Sequence, residues 1–277
     1  MDRLARFSQS IAGAVSRLSE PDFSEVLSRV LAELIEADDV SLIRYGVDHS
    51  PAIEYTMPPT TRTTSTLDRY VTGPFLLDPF YRAASIESRF GVFRLRDLAP
   101  KGFRDSEYYR TWYHECGFQD ECGLLIQLDT GFVNLALGRI GKGVFSKAHV
   151  QLLQAIFPAI EALVCRHWRD HKTMASGAGF RHRLQHSLSA FGSSVLTPRE
   201  REVIELVLLG NSTRLIAEKL AISTETVKLH RKHAYAKLDI SSQAELFYLF
   251  VDALASHTGD DLVDPLSSYQ GPREQHG

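Results

Sequence analysis

Apolar residues near the start of the chain recur at helical spacing. Leu4, Phe7, Ile11, Ala14, Val15 and Leu18 share one side of an amphipathic helix. A second helix from about Pro21 carries Phe23, Val26, Leu27, Val30, Leu31 and Leu34. The period then drops to two: Val40 to Tyr45 predicts a strand ended by Gly46, and Ile53 to Met57 predicts its partner. Pro58 to Ser65, rich in Pro and Thr, reads as a loop. An irregularly helical stretch from Leu67 to Ser88 is broken at Gly73-Pro74 and Asp78-Pro79. A short strand at Val92 to Leu95 and an aromatic-rich helix over roughly Asp105 to Cys116 follow it. The clearest hairpin pairs Gly123–Leu128 with Phe132–Leu137 through Asp129-Thr130-Gly131, whose glycine suits the positive φ of such a turn. Ser146 then caps a long helix through Val150, Leu153, Ile156, Phe157, Ile160 and Leu163 to about His167.

This order contains no regular βαβ repeat. It predicts an α+β domain over residues 1–170, an antiparallel sheet with helices on its faces in the manner of PAS or GAF sensor domains. Residues 171–194 shift to Ser, Gly, His, Lys and Arg and read as a linker, with Ser176-Gly177-Ala178-Gly179 as its flexible part. Residues 195–256 predict an all-α module of four short helices, and residues 257–277 a disordered tail.

Within the C-terminal module, Thr197 before Pro198 with Glu200 three residues on is a capping box with proline at the first helical position. Val203, Ile204, Leu206, Val207 and Leu208 point inward before Gly210 stops the helix. Ser212 or Thr213 starts a second helix bearing Ile216, Ala217 and Leu220, and Ala221-Ile222-Ser223 forms a turn. Ser223 caps a third helix in which Val227, Ala234 and Leu238 face inward while Lys228, Leu229 and Lys232 lie on another face. His230, Arg231, His233 and Lys237 add to that helix, against the single acid Glu225. Two lysines one turn apart suit phosphates or guanine edges, and Leu229 between them suits a thymine methyl. Ser223, Thr224 and Thr226 at the helix N-terminus suit a phosphate. The competing reading of this cationic surface is a solvated face of a protein-interaction helix.

Composition narrows the setting. Over 277 residues the chain is 44% hydrophobic and 23% charged with a net charge of −3, which suits a globular protein with a local basic footprint rather than one that coats nucleic acid. Three cysteines, Cys116, Cys122 and Cys165, read as buried thiols of a reducing compartment. The N-terminus lacks a signal-peptide core, and no uninterrupted apolar run reaches membrane-spanning length, so a cytoplasmic location with no membrane partner is expected. There is no Gly-rich phosphate loop, nucleophile elbow or HExxH, so neither catalysis nor a cofactor is expected. His167-x-x-x-His171 has metal-compatible spacing but no acidic set beside it, so no metal is expected.

The module closely resembles the LuxR-type (GerE-like) helix-turn-helix of bacterial transcription regulators. The matching residues are Leu196-Thr197-Pro198-Arg199-Glu200-Arg201-Glu202-Val203, Gly210 with Ser212, Ile216-Ala217-Glu218-Lys219-Leu220, Ile222-Ser223, Thr226-Val227-Lys228, His230, Lys237-Leu238, and Ser241-Ser242 with Ala244-Glu245. The resemblance implies that Thr224 to Leu238 is a recognition helix on double-stranded promoter DNA. It puts Lys228, Leu229 and Lys232 at bases and Thr226, His230 and Lys237 near the backbone. It also implies a dimer contact on the helix from Gln243 to Leu254, a homodimer, and RNA polymerase as a partner. Three positions depart from the family pattern. Leu215 stands where Glu is common, Ala234 replaces a larger residue whose space Tyr235 is expected to fill, and Asp239 replaces a glycine.

For the N-terminal domain three sensor classes compete. A phospho-receiver needs acids after its first strand, whereas Asp38-Asp39 precede one. Tyr70 with Asp78-Pro79 is similar to the Tyr and Asp-Pro of acyl-homoserine-lactone receptors, although the upstream Trp-x-x-x-Tyr is missing and Phe93 stands where a second Trp is expected. The third class is an orphan regulator with another small-molecule effector. Here Tyr109, Trp112, Tyr113 and Cys116 would share a helical face, with Tyr108 adjacent and Asp120-Glu121 just beyond, a composition able to cage an amine. The effector-site candidates are Tyr70, Asp78, Tyr81, Arg94, Tyr109, Trp112 and Tyr113, each weighed against an ordinary core role.

Overall fold

The computed structural model describes residues 3–46, 51–57, 67, 70–71, 74–106, 108–114, 117–141, 143–169, 188–256 and 264–267. The chain divides into two compact units. The first comprises Met1–Val71, Asp78–Ala99 and Tyr113–Phe180, and the second comprises Thr72–Leu77, Pro100–Trp112 and Arg181–Gly277.

In the first unit, helices α1 (Arg3–Val15) and α2 (Phe23–Ile35) precede strands β1 (Asp39–Tyr45) and β2 (Ala52–Thr56). Helix α3 (Pro79–Ser85), strand β3 (Gly91–Arg94) and the single turn α4 (Leu95–Leu98) follow. The hairpin β4 (Phe118–Leu128) and β5 (Gly131–Ile140) then leads into α5 (Lys147–Arg169). Every pairing is antiparallel, and the strand order is β2-β1-β5-β4-β3. This is the α+β architecture that the change of hydrophobic period implied.

Alternation along the strands sorts the sheet into two faces. Val40, Leu42, Cys122, Leu124, Ile126, Val133, Leu135 and Leu137 point into one core with Phe23, Leu27, Leu31 and Ile35 of α2 and Leu153, Ile156, Ile160 and Val164 of α5. By length and composition alone α5 could cross a membrane; here its inward stripe is buried in that core. Ser41, Ile43 and Tyr45 pair with Ala136, Asn134 and Phe132 on the opposite face, where Phe80 of α3 lies on Gly123. A Cβ on Gly123 would come within 2.6 Å of the Phe80 ring.

The hairpin turn explains its glycine. Leu128 pairs with Gly131, so Asp129 and Thr130 make the whole turn, and Gly131 takes a φ of 107°. Any Cβ there would fall on the carbonyl oxygen of Tyr45 in β1. Cys122 is buried in the sheet, and burial pushes its thiol up to about 12, so it remains protonated at neutral pH. Cys165 donates to the carbonyl of Gln127, and Cys116 lies outside the described residues.

The expected α-helix from Asp105 to Cys116 is instead a 3-10 turn at Phe103–Asp105 and a π-helix at Tyr109–His114. Ser106 accounts for the break. Its hydroxyl donates to the carbonyl of Phe103 and accepts from the N–H of Tyr109, closing one element and starting the next.

The second unit is built on α6 (Pro198–Leu208), α7 (Thr213–Leu220), α8 (Thr224–Lys237) and α9 (Gln243–Ser256). Its core contains Val203, Ile204, Val207, Ile216, Val227, Ala234, Leu246 and Phe250. The second unit also buries residues on either side of its four helices. Leu188, Ala190 and Phe191, assigned to the linker, are buried, with Phe191 edge-on to Phe250 at 5.3 Å; residues 176–179, expected to be the flexible part, lie outside the described residues. Within the stretch expected to be a disordered tail, Pro265–Ser267 forms a 3-10 turn behind buried Asp264. That carboxylate accepts from the N–H groups of Gly192 and Ser194 and from the Ser194 hydroxyl, at 2.6–2.9 Å. A carboxylate with four donors, the N–H of Leu266 included, can be buried in a way the bare composition of the tail does not reveal.

Thr197 and Glu200 form the reciprocal capping box expected of them. Glu200 does more: its carboxylate, buried at 4% exposure, also takes the Lys237 ammonium from the end of α8 at 2.7 Å. Burial alone would raise its pKa, but the hydrogen bonds from Lys237 and the Thr197 backbone outweigh burial and hold it at about 2. A folded-state pKa depressed below the ordinary glutamate value of about 4.3 gives stability that is present above that value and is lost as pH falls toward 2. Amide-exchange protection in α6 should therefore fall as pH drops from about 5 to 2. Glu200→Gln, which keeps the capping box but removes the charge, should flatten that slope; equal slopes in the two proteins would assign the pH dependence elsewhere.

Candidate nucleic-acid interface

Helix α8 is positioned by caps at both ends. The Ser223 hydroxyl accepts from the N–H of Thr226 at 3.0 Å and meets the Thr226 hydroxyl at 2.7 Å, so threonine supplies a hydroxyl where a capping box would have a carboxylate. Beyond the other end, Asp239 takes the left-handed conformation at φ 52°, the place where a glycine is usual. Ala221 does the same at φ 53° in the turn from α7, and Arg199 donates to the carbonyl of Leu220 there at 2.7 Å. The turn between α7 and α8 is thus held by its own left-handed residue and by a side chain from α6.

Val227 and Ala234 bury one face of α8, and Lys228, Leu229 and Lys232 stand on the exposed one. Leu229 is 50% exposed, an isolated apolar side chain between two cations. Lys228 pairs with Glu225 at 2.8 Å, but both are well exposed, and such pairs contribute only about 0–1 kcal/mol. A phosphate could displace that glutamate at little cost. Ser223 and Thr224 are exposed at the N-terminal end; Thr226, His230 and Arg231 are half-buried.

Lys237 stands apart from the other candidates. Its ammonium is committed to Glu200, so it ties α8 to α6. Tyr235 is half-buried beside fully buried Ala234. It lines a cleft of about 560 Å³ with Lys228, Arg231, Lys232, Ala236, Ile240, Ser241, Ser242 and Gln243. That cleft carries three cations and no acid. Its far wall was missed as part of the site, although Ser241-Ser242 ahead of Glu245 is itself a cap: Ser241 and Ser242 donate to Glu245, which they hold below the usual carboxylate range.

The effector candidates separate into groups. Asp78 is buried at the N-cap of α3, where it accepts from the N–H groups of Phe80 at 2.7 Å and Tyr81 at 3.3 Å. Tyr70 donates to its other oxygen at 3.0 Å, and the Tyr45 hydroxyl lies 2.8 Å from that of Tyr70. Burial, then the Asp78 charge, pushes the Tyr45 hydroxyl well above its usual range, so it stays protonated. The Tyr45 ring stacks on Phe132 at 4.7 Å and Tyr81 closes against both, at 5.3 and 5.8 Å. Alternation along the chain marks Tyr45 and Phe132 only as strand residues and does not bring them to this cluster.

Arg94 forks onto Asp97 at 2.9 and 3.1 Å, which draws Asp97 below the usual range. Tyr109 packs edge-on to Phe103 in the second unit, while Tyr113 packs against Phe118 in the first. The side chain of Trp112 lies outside the described residues. Asp120, considered for an amine cage, accepts instead from the N–H of Phe145 at 2.8 Å. His167 accepts from the N–H of Ser19 through Nδ1 at 3.0 Å and stacks on Phe23; His171 lies outside the described residues.

Comparison with known proteins agrees with this geometry. Residues 194–250 match the family described as bacterial regulatory proteins, luxR family. The chain is 33% identical over 197 residues to an HTH-type transcriptional regulator in the exeN 3' region of Aeromonas salmonicida, a match spanning 68% of this chain and 100% of that one. It is 43% identical over 61 residues to the transcriptional regulatory protein MctR of Rhizobium johnstonii, covering 22% of this chain and 28% of that one. Among solved structures, the VqsR LBD domain from Pseudomonas aeruginosa superposes with a TM-score of 0.50 at 26% identity, over 58% of this chain and 96% of that one. The chain belongs to the luxR family of bacterial regulatory proteins, as a transcriptional regulator with a DNA-binding helix-turn-helix at its C-terminal end.

Proposed function

We propose that the protein is a sequence-specific promoter-binding regulator, not an enzyme, that acts in the cytoplasm as a homodimer and answers to a small molecule held in its N-terminal unit. The observation that carries the DNA part is the exposed row Lys228, Leu229 and Lys232 on a helix whose other face is locked into the core. Ser223, Thr224, Thr226, His230 and Arg231 frame that row and would position it on phosphates. Two-fold protein symmetry would match two half-sites about one helical turn apart. RNA polymerase would be the partner through which promoter occupancy is read. A phospho-receiver reading has little support, since it needs an aspartate at the end of a parallel strand and this sheet is antiparallel throughout.

The effector part rests on the likeness to the VqsR LBD domain and on the Tyr45–Tyr70–Asp78 chain beside the Tyr81 and Phe132 rings. Aromatic rings around a buried carboxylate suit a compact ligand with an apolar body and a donor group. A second reading, an acyl-homoserine-lactone receptor, is favoured specifically by the Tyr70–Asp78 bond.

Lys228→Ala and Lys232→Ala should each weaken promoter binding by about 1–3 kcal/mol, measured by fluorescence anisotropy, if the side chain reads a base. Lys237→Ala should first lower the stability of the second unit, because it strands a buried carboxylate. Wild-type affinity in both Lys228→Ala and Lys232→Ala would remove the assigned face. For the effector, a thermal-shift series of the full chain with acyl-homoserine lactones and with primary amines should give one responding class, since a ligand at about 100 times its Kd stabilises by about 2.7 kcal/mol. Tyr70→Phe should abolish that shift while leaving duplex affinity within about twofold; an undiminished shift would place the ligand elsewhere.

A further inference from the structure

Between β3 and β4 in sequence lies a segment that packs with the helix-turn-helix. Pro100–Trp112 belongs to the second unit. Its anchor is the N–H of Ser212, the residue that caps α7, which donates to the carbonyl of Lys101 at 3.0 Å. Gly102 lies directly on Ser212, with a φ of 96° and no room for a side chain: a Cβ would stand 2.8 Å from both the nitrogen and the Cβ of Ser212. Phe103 and Ser106 are buried and close over Gly210, where a Cβ would meet either of them at 3.1 Å. Exposed Asp105 then lines a cleft of about 230 Å³ together with Ser212, Thr213, Arg231 and Gln243.

We propose that residues 100–106 are an autoinhibitory strap, which occupies the end of α7 where the DNA backbone would dock and must leave before the protein binds DNA. The first helix of a helix-turn-helix crosses the backbone, and a helix N-terminus offers its free N–H groups to phosphate. The strap sets a carbonyl on the Ser212 N–H and a carboxylate in the cleft that Arg231 lines, so these two acceptors stand where phosphate oxygens would, although Lys101 and Arg104 leave the strap with a net positive charge. The apparent DNA affinity is then the intrinsic affinity reduced by the fraction of molecules with the strap released.

The strap also has a route to the sensor. It runs directly into the π-helix Tyr109–His114, within which the chain passes from the second unit to the first between Trp112 and Tyr113. A π-helix is a rare element that is frequently found at functional sites. A ligand that regularised it would draw on the strap within a few residues.

This inference rests on the DNA-binding reading, and its test separates the two. The full chain is titrated by anisotropy with a random-sequence duplex of about 30 base pairs at low salt, where phosphate contacts dominate. Gly102→Val, excluded by both φ and contact, should bind about fivefold or more tightly than wild type, and the surface change Asp105→Asn should shift affinity the same way by less. In the wild type, adding duplex should accelerate tryptic cleavage after Lys101 and Arg104, a readout that needs no variant and survives any folding defect in Gly102→Val. Unchanged or weaker binding in both variants, or cleavage slowed by duplex, overturns the strap. If Lys232→Ala weakens binding while those results hold, only the strap fails; if the wild type and Lys232→Ala ignore the duplex alike, the DNA reading fails with it.

Discussion

A buried carboxylate has to be fully satisfied or it is a liability, and the DNA-reading half of this protein is assembled around one that is. Glu200 takes the backbone N–H of Thr197 at the start of α6 and the ammonium of Lys237 at the end of α8. The first bond is local and fixes where α6 begins. The second closes the helical module by joining its first helix to the last turn of its third. With the end of α8 tied inward by Lys237 and its middle packed on Val227 and Ala234, Lys228, Leu229 and Lys232 are left facing outward on a rigid support. That outward face is a consequence of how the inner one is held, which is why a cation at each end of the same helix does opposite jobs.

What could be read from the sequence here was whatever chemistry is local. Thr197 and Glu200, Ser212 and Leu215, and Ser223 and Thr226 each lie three residues apart, so a cap is visible as a short string. The same is true of the two-residue turn ahead of Gly131 and of the alternation that separates Leu42, Leu124 and Leu135 from Tyr45 and Phe132. Residues whose partners lie far along the chain were not legible. Lys237 stood in the backbone-contact pattern of its family, and only the fold shows that a carboxylate 37 residues away claims it. Asp264 sat in a stretch with the composition of a disordered tail, yet it meets the Gly192–Ser194 turn over a separation of 70–72 residues. The aromatic stretch after Asp105 misled for a related reason. Its side-chain spacing fits an α-helix, but the backbone follows the hydroxyl of Ser106, which the apolar pattern does not register.

The N-terminal unit repeats the logic of Glu200 with a different outcome. Asp78 is again a buried carboxylate at a helix start, here at the N-cap itself, and its second oxygen accepts from Tyr70, eight residues back. The partner differs in kind. Lys237 is a full charge, and the pair it makes lowers the energy of one fixed arrangement. Tyr70 is neutral and passes the bond on to Tyr45, so the Asp78 charge is met by a chain of hydroxyls inside an aromatic surround. Hydroxyls can exchange one acceptor for another at small net cost, whereas a buried ion pair cannot be opened without leaving a charge unpaired. A rigid clamp therefore sits behind the exposed face of α8, and an adjustable polar chain sits where we propose that a ligand binds. The two units share one feature, an acid at a helix start, and the nature of its side-chain partner, a full charge or a hydroxyl, sets how firmly it is held.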